Sequence, residues 1–200
     1  MGLKERVYSV LIVSASKNLN EALQSQLPES RYDPVKLVSN VSMAKRLLME
    51  RSFDYVIVNS PLPDDTGVRF AIDTSRSREA VVLLLIRSEL HEEVFERVVE
   101  YGVFTLPKPT SKPMLSLALG WMSGARERMR ESEKKTQSIE EKIGEIRLVN
   151  RAKWLLINNL HMSEPEAHRY IEKQAMNRCV AKRIVAQEIV DRYADEHSLS

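Results

Sequence analysis

The sequence predicts an α/β fold, a doubly wound five-stranded parallel sheet, followed by a coiled-coil helix and an all-α bundle of three helices. Three observations carry that reading. Short apolar runs alternate with helical patterns through the first 110 residues, as strands and helices do in a parallel sheet. One run, VVLLLI at 81–86, is apolar at six successive positions, which fits a strand covered on both faces. From residue 110 onward the pattern is helical only.

The elements follow in order. Residues 7–13 read as the first strand and 19–26 as a helix. Residues 35–38 are a short second strand and 42–51 a second helix. Residues 55–58 form the third strand, closed by Asn-Ser-Pro-Leu-Pro, and 81–86 the fourth. No element is assigned between those two. Residues 92–101 read as a helix ended by Gly102, and 103–106 as the fifth strand. The connections are short, as α/β units prefer.

Ser111 can cap the next helix, with Pro113 in its first turn. The charge-rich, proline-free stretch that follows carries heptads. Met122, Met129, Thr136 and Ile143 lie seven apart, and Ala125, Ser132, Ile139 and Ile146 follow each by three. That is the a/d pattern of a coiled coil, and a polar helix this long needs a partner face. A homodimer is therefore expected through Met122, Met129, Ile139, Ile143 and Ile146, with Ser132 and Thr136 weakening its centre. After a turn at 158–163, Ser163 and Glu166 form a capping box with Pro165 in the first turn. Ala167, Tyr170, Ile171, Gln174 and Ala175 share one face of that helix. A second break at 177–179 leads to a final amphipathic helix bearing Val180, Ile184, Val185, Ala186 and Ile189. The expected domains are 1–119, a linker and dimerisation helix at 120–150, and a three-helix domain at 151–200 whose first helix continues the linker.

Composition is that of an ordinary globular chain, 43% hydrophobic and 29% charged. The net charge of +2 gives no general basic excess, so any nucleic-acid binding must rest on a local patch. Cys179 is the single cysteine, which excludes an internal disulfide. No apolar run approaches the length of a membrane span, and the start lacks a secretory pattern, so the cytoplasm is the expected compartment. No cofactor or metal is expected. His161 and His168 have no cysteine partner in range, and there is neither a Gly-rich phosphate loop nor a nucleophile elbow. The chain is not expected to be an enzyme.

Residues 5–119 resemble the receiver domain of two-component response regulators. Pro63 and Gly67 follow Asn59 at that family's spacing, and Pro-Lys-Pro holds Lys108. The resemblance implies a flavodoxin-like fold with a phosphoryl-accepting aspartate, an acidic pair for Mg²⁺, a hydroxyl and a lysine. Here Asn59 stands at the phosphoacceptor position, and Ser14 and Ala15 replace the acidic pair. The hydroxyl position falls on Ile86 or Arg87. Only Lys108 survives, where the family often has a cis peptide before the proline. An amide cannot form an acyl phosphate, and neutral side chains hold Mg²⁺ poorly. Phosphorelay chemistry is therefore not expected. Asp64 and Asp65 are expected to shape the loop, and Phe104 to be ordinary packing. The resemblance also implies a protein-partner face around the last strand and its helices.

Residues 151–178 read RAKWLLINNLHMSEPEAHRYIEKQAMNR. This stretch, within 139–193, resembles the ANTAR family of transcription antitermination regulators. The match rests on Ala152, Lys153, Leu156, Met162, Ser163, Glu164, Ala167, Tyr170, Ala175, Met176 and Arg178. Trp154 departs from the family's frequent Gly, which suggests a more tightly packed first helix. The resemblance implies binding, as a dimer, to tandem RNA hairpins whose loops expose bases. Lys153, Arg178 and Lys182 can contact phosphates, Tyr170 can stack on a base or pack in the core, and Gln174 can read a base edge. Two other readings compete: a DNA-binding response-regulator-like factor with a helix-turn-helix, and an interaction module that sequesters a protein partner.

Overall fold

In the computed structural model, residues 6–77 and 79–196 are described. They fall into two units that divide between Glu131 and Ser132.

The first unit is built on a parallel sheet of β1 (Tyr8–Val13), β2 (Tyr32–Val38), β3 (Tyr55–Asn59), β4 (Val81–Arg87) and β5 (Phe104–Lys108), in the order β2-β1-β3-β4-β5. The period-two alternation of the strands fills two apolar layers. Leu11, Val13, Val56, Val58, Val82, Leu84 and Ile86 pack with α2 (Val41–Glu50), α3 (Val68–Arg76) and α4 (Ser88–Val98). Val10, Ile12, Tyr55, Ile57, Leu83 and Leu85 pack with α1 (Lys17–Ser25) and the start of α5 (Lys112–Leu160). The strands buried on both faces are thus those whose sequences are continuously apolar.

Three differences from the sequence reading have local causes. Helix α3 has no assigned counterpart because its start carries no side-chain cap. Gly67 serves instead, with φ 79°, and a Cβ there would meet Val58 Cγ1 at 2.8 Å. Helix α4 begins at Ser88 and tightens into a 3-10 turn (Val99–Tyr101) before Gly102. Strand β2 starts at Tyr32, whose ring lies against those of Tyr8 and Tyr55 at 6.3 and 6.1 Å between centroids.

The packing of α5 in the second of these layers corrects the dimerisation assignment for Met122 and Met129. Met122 is fully buried in the α1/α5 layer, and Met129 packs against the same layer. Their heptad positions are used within the chain, because the first part of α5 lays its apolar stripe on the sheet. A polar clasp extends the docking. Asp54 accepts from Arg126 Nε at 2.9 Å and Arg130 Nη2 at 2.7 Å, and its other oxygen accepts from the Ser9 N–H at 2.9 Å. Tyr8 donates to Glu127 at 3.1 Å, and Tyr55 to Ser123 Oγ at 3.0 Å.

The second unit contains the rest of α5, then α6 (Glu164–Arg178) and α7 (Lys182–Glu196), the expected three helices. Gly144 lies inside α5 without interrupting it. Helices α5, α6 and α7 close on Ala152, Leu156, Ala167, Ile171, Ala175, Val185, Ala186 and Ile189. The small residues of the 151–178 motif are therefore core spacers that let helices approach. Glu166 accepts from the Ser163 N–H at 2.8 Å and from its hydroxyl at 2.7 Å, as a capping residue should. Cys179 ends α6 in the left-handed conformation, φ 52°. Trp154 does not tighten the bundle: its side chain is 65% exposed.

Candidate functional site

A parallel sheet in this order offers a crevice at the C-terminal ends of β1 and β3, where the strand order reverses. Ser14 follows β1 and Asn59 ends β3, and both are buried. Lys108 ends β5 beside a cis Lys108–Pro109 peptide, as expected. These three side chains meet. Lys108 Nζ donates to Asn59 Oδ1 at 2.6 Å and to the Ser60 carbonyl, and Asn59 Nδ2 donates to Ser14 Oγ at 3.1 Å. Ala15 stands outside the network and is exposed. Burial, with Arg87 nearby, pulls the Lys108 pKa below its ordinary value. At the end of β4, Ile86 is buried in the core, and Arg87 is exposed and lies opposite Lys108 in the β4–β5 register.

The crevice is filled by a neutral amide, a hydroxyl and one cation. The residues present do not fit Mg²⁺, which wants carboxylate oxygens. The nearest acidic loop is committed elsewhere. Asp64 accepts from the Val41 and Ser42 N–H groups, both at 3.0 Å, capping α2 together with Asn40. Those bonds hold its pKa below the usual carboxylate range. Asp65 accepts from the Gly67 N–H at 2.6 Å. Both acids therefore shape the loop. Among the described residues no cluster of three or more His, Cys, Asp or Glu is placed to hold a metal. Phe104 packs against the α1/α5 layer. Leu90 and Phe95 on α4, which packs beside the edge strand β5, Val99 just after it, and Met114, Leu117 and Trp121 on α5 are exposed.

In the second unit the expected phosphate contacts are paired with carboxylates. Lys153 Nζ lies 2.7 Å from Glu164, Arg178 Nη2 2.6 Å from Glu188, and Lys182 Nζ 2.5 Å from Glu172. Lys153 lowers the Glu164 pKa and Lys182 that of Glu172. Tyr170 is half-buried against the helical core, and Gln174 is half-buried on the same helix. Arg169 and Lys173, which the sequence reading passed over, are exposed and form no ion pair among the described residues. The i, i+4 spacing of those two cations around Tyr170 is the sequence signal for them. Ile139, Ile143 and Ile146 on α5 are 56%, 43% and 61% exposed. Trp154 follows Ile143 by three helical turns, so it extends the same stripe.

Among the described residues no helix is long and apolar enough to cross a membrane. A family profile described as the ANTAR domain matches residues 137–190. The transcriptional regulatory protein PdtaR of Mycobacterium tuberculosis (strain ATCC 25618 / H37Rv) is 26% identical over 183 residues, 91% of this chain and 89% of that protein. The signal receiver domain of an HD domain-containing protein from Pseudomonas fluorescens Pf-5 is similar to this structure with a TM-score of 0.56. It is 21% identical, over 66% of this chain and 96% of that one. The chemotaxis response regulator CheY4 of Vibrio cholerae, also 21% identical, gives 0.51 over 58% and 98%. These structural likenesses establish the receiver fold of the first unit, and residues 137–190 are an ANTAR domain.

Proposed function

From a chain that joins a receiver-like domain to an ANTAR domain, we propose an RNA-binding transcription antitermination regulator that is not controlled by aspartyl phosphorylation. The coarse class, a transcription regulator of the antitermination type, is supported by the ANTAR domain and by similarity to a transcriptional regulatory protein. The protein acts as a homodimer on tandem hairpins in nascent RNA, in the cytoplasm, and catalyses no reaction.

The observation that carries the phosphorylation-independent part is the carboxylate-free Ser14–Asn59–Lys108 network in the crevice. It supplies no carboxylate nucleophile. Dimerisation rests on Ile139, Ile143, Ile146 and Trp154, the exposed stripe left after Met122 and Met129 have packed inside the first unit. Two modest hairpin contacts then become one strong interaction, because the second forms at high effective concentration. The exposed apolar residues of α4 and of the start of α5 suit a protein partner that replaces phosphorylation as the input.

A gel-shift with the full chain tests this reading, using an RNA of two tandem hairpins, one hairpin alone, and duplex DNA of equal length. Selective retention of the tandem RNA supports it. Preference for the DNA favours a DNA-binding regulator, and no retention of any nucleic acid favours an interaction module.

A further inference from the structure

A cavity of about 470 Å³ opens in the second unit, within the ~300–1,000 Å³ range of small-molecule sites. One wall is the reversal after α5, where His161 takes a left-handed backbone, φ 53°, and is followed by Met162. The other wall is one face of α6. Glu166, Arg169, Tyr170 and Lys173 sit there at i, i+3, i+4 and i+7.

The chemistry of the walls is selective. Tyr170 is half-buried against the helical core, so its ring is held in place rather than swinging free. Arg169 and Lys173 flank it on α6, exposed and without an ion pair among the described residues, unlike Lys153, Arg178 and Lys182. Glu166 takes both of its Ser163 bonds on Oε2, which leaves Oε1 as a hydrogen-bond acceptor at the cavity. An aromatic ring packed against the core, with two exposed cations close to it on the same helix and one of them, Arg169, acting on Glu166, matches one ligand class well. Bases splayed out of a loop stack on aromatic rings while the neighbouring phosphates seek cations. A duplex cannot present its bases in this way.

We infer that this cavity receives one unstacked, amino-bearing nucleobase of an RNA loop, with Tyr170 as the stacking platform and Arg169 and Lys173 on the adjoining phosphates. The inference rests on the RNA-binding reading above and locates where that binding occurs. Glu166 Oε1 accepts from the exocyclic amino group, so adenine, cytosine and guanine are admitted over uracil, which has none.

The test uses the full chain and a fluorescein-labelled RNA of two hairpins with adenosine loops. In a second copy, one adenosine per loop is replaced by 2-aminopurine, whose fluorescence falls on stacking. Wild type and Tyr170→Phe should bind alike and quench the probe. Tyr170→Leu, which keeps apolar bulk, should lose the quenching and about 5- to 100-fold in affinity. The doubly substituted Arg169→Ala, Lys173→Ala protein should lose roughly tenfold or more, and uridine loops should bind more weakly than adenosine loops. Thermal melts accompany each variant; should Tyr170→Leu unfold, the surface cation pair decides alone. If Arg169→Ala, Lys173→Ala binds like wild type while Lys153→Ala, Arg178→Ala, Lys182→Ala does not, the RNA reading stands and the pocket is overturned. If wild type binds neither loop, the RNA reading itself fails and takes the pocket with it.

Discussion

Lys108 donates to Asn59 Oδ1 across 2.6 Å, and Asn59 passes a hydrogen bond on to Ser14 Oγ at 3.1 Å. Where a phosphorylatable receiver needs carboxylates around a metal, this crevice ties an amide, a hydroxyl and a lysine to one another. Treatment with acetyl phosphate and Mg²⁺ should therefore leave the intact mass unchanged. Asn59→Asp alone should stay unmodified as well, since Ser14 and Ala15 still provide no acidic pair. A stable phosphorylated wild-type species contradicts this.

The Asp54 clasp makes a prediction about acid stability. Burial alone would raise the Asp54 pKa, but the Ser9 N–H and the guanidinium groups of Arg126 and Arg130 outweigh it and hold the pKa below its ordinary value. A carboxylate with a depressed folded pKa adds stability above its unfolded pKa, near 4, and that stability is lost as pH falls through the folded value. Asp54→Asn should therefore cost about 1–3 kcal/mol at neutral pH. It should also flatten the fall in stability below roughly pH 4. Urea melts across that range measure both.

Dimerisation should depend on the second half of α5 and not on its first. Asp at both Ile139 and Ile143 should shift sedimentation toward monomer while leaving the melting of the first unit intact, because neither residue enters that core. Met122→Ala should do the reverse, destabilising by roughly 2–5 kcal/mol, the cost of emptying a buried site. With Trp121→Phe, Trp154 becomes the single tryptophan, and its emission should shift to the red on dilution. A wild type that sediments as a monomer at tens of micromolar would remove the coiled-coil role.

Lys153 separates a phosphate contact from an ion pair. Paired with Glu164 on the surface, it contributes little to stability. If it exchanges that carboxylate for a phosphate, Lys153→Ala should weaken RNA binding and lower the salt slope by about one ion, with melting unchanged. Glu164→Gln should strengthen binding by releasing the lysine. A variant that loses melting temperature and keeps its salt dependence would assign Lys153 to the fold.

The sheet was legible because β1, β3 and β4 are continuously apolar, and the crevice was legible because Asn59, Pro63, Gly67 and Lys108 keep a recognisable spacing. Helix α3 was not, since its cap is a glycine backbone and has no side-chain signature. A heptad reports an apolar face but not what covers it, so Met122 and Met129 read like Ile139 and Ile143 until the sheet is in place. The pairing of Lys153, Arg178 and Lys182 was hidden for a related reason. Their partners lie ten or eleven residues away, on the neighbouring helix, outside the i, i+4 range that sequence spacing reveals.

The most direct measurement is a fluorescence-anisotropy titration of the unmodified full chain with tandem-hairpin RNA, repeated after incubation with acetyl phosphate and Mg²⁺, beside duplex DNA of equal length. RNA recognition without phosphoryl control requires tight binding to the tandem RNA, the same affinity after the phosphodonor, and much weaker binding to the DNA. Equal affinity for RNA and DNA, or RNA binding that appears only after the phosphodonor, would contradict it.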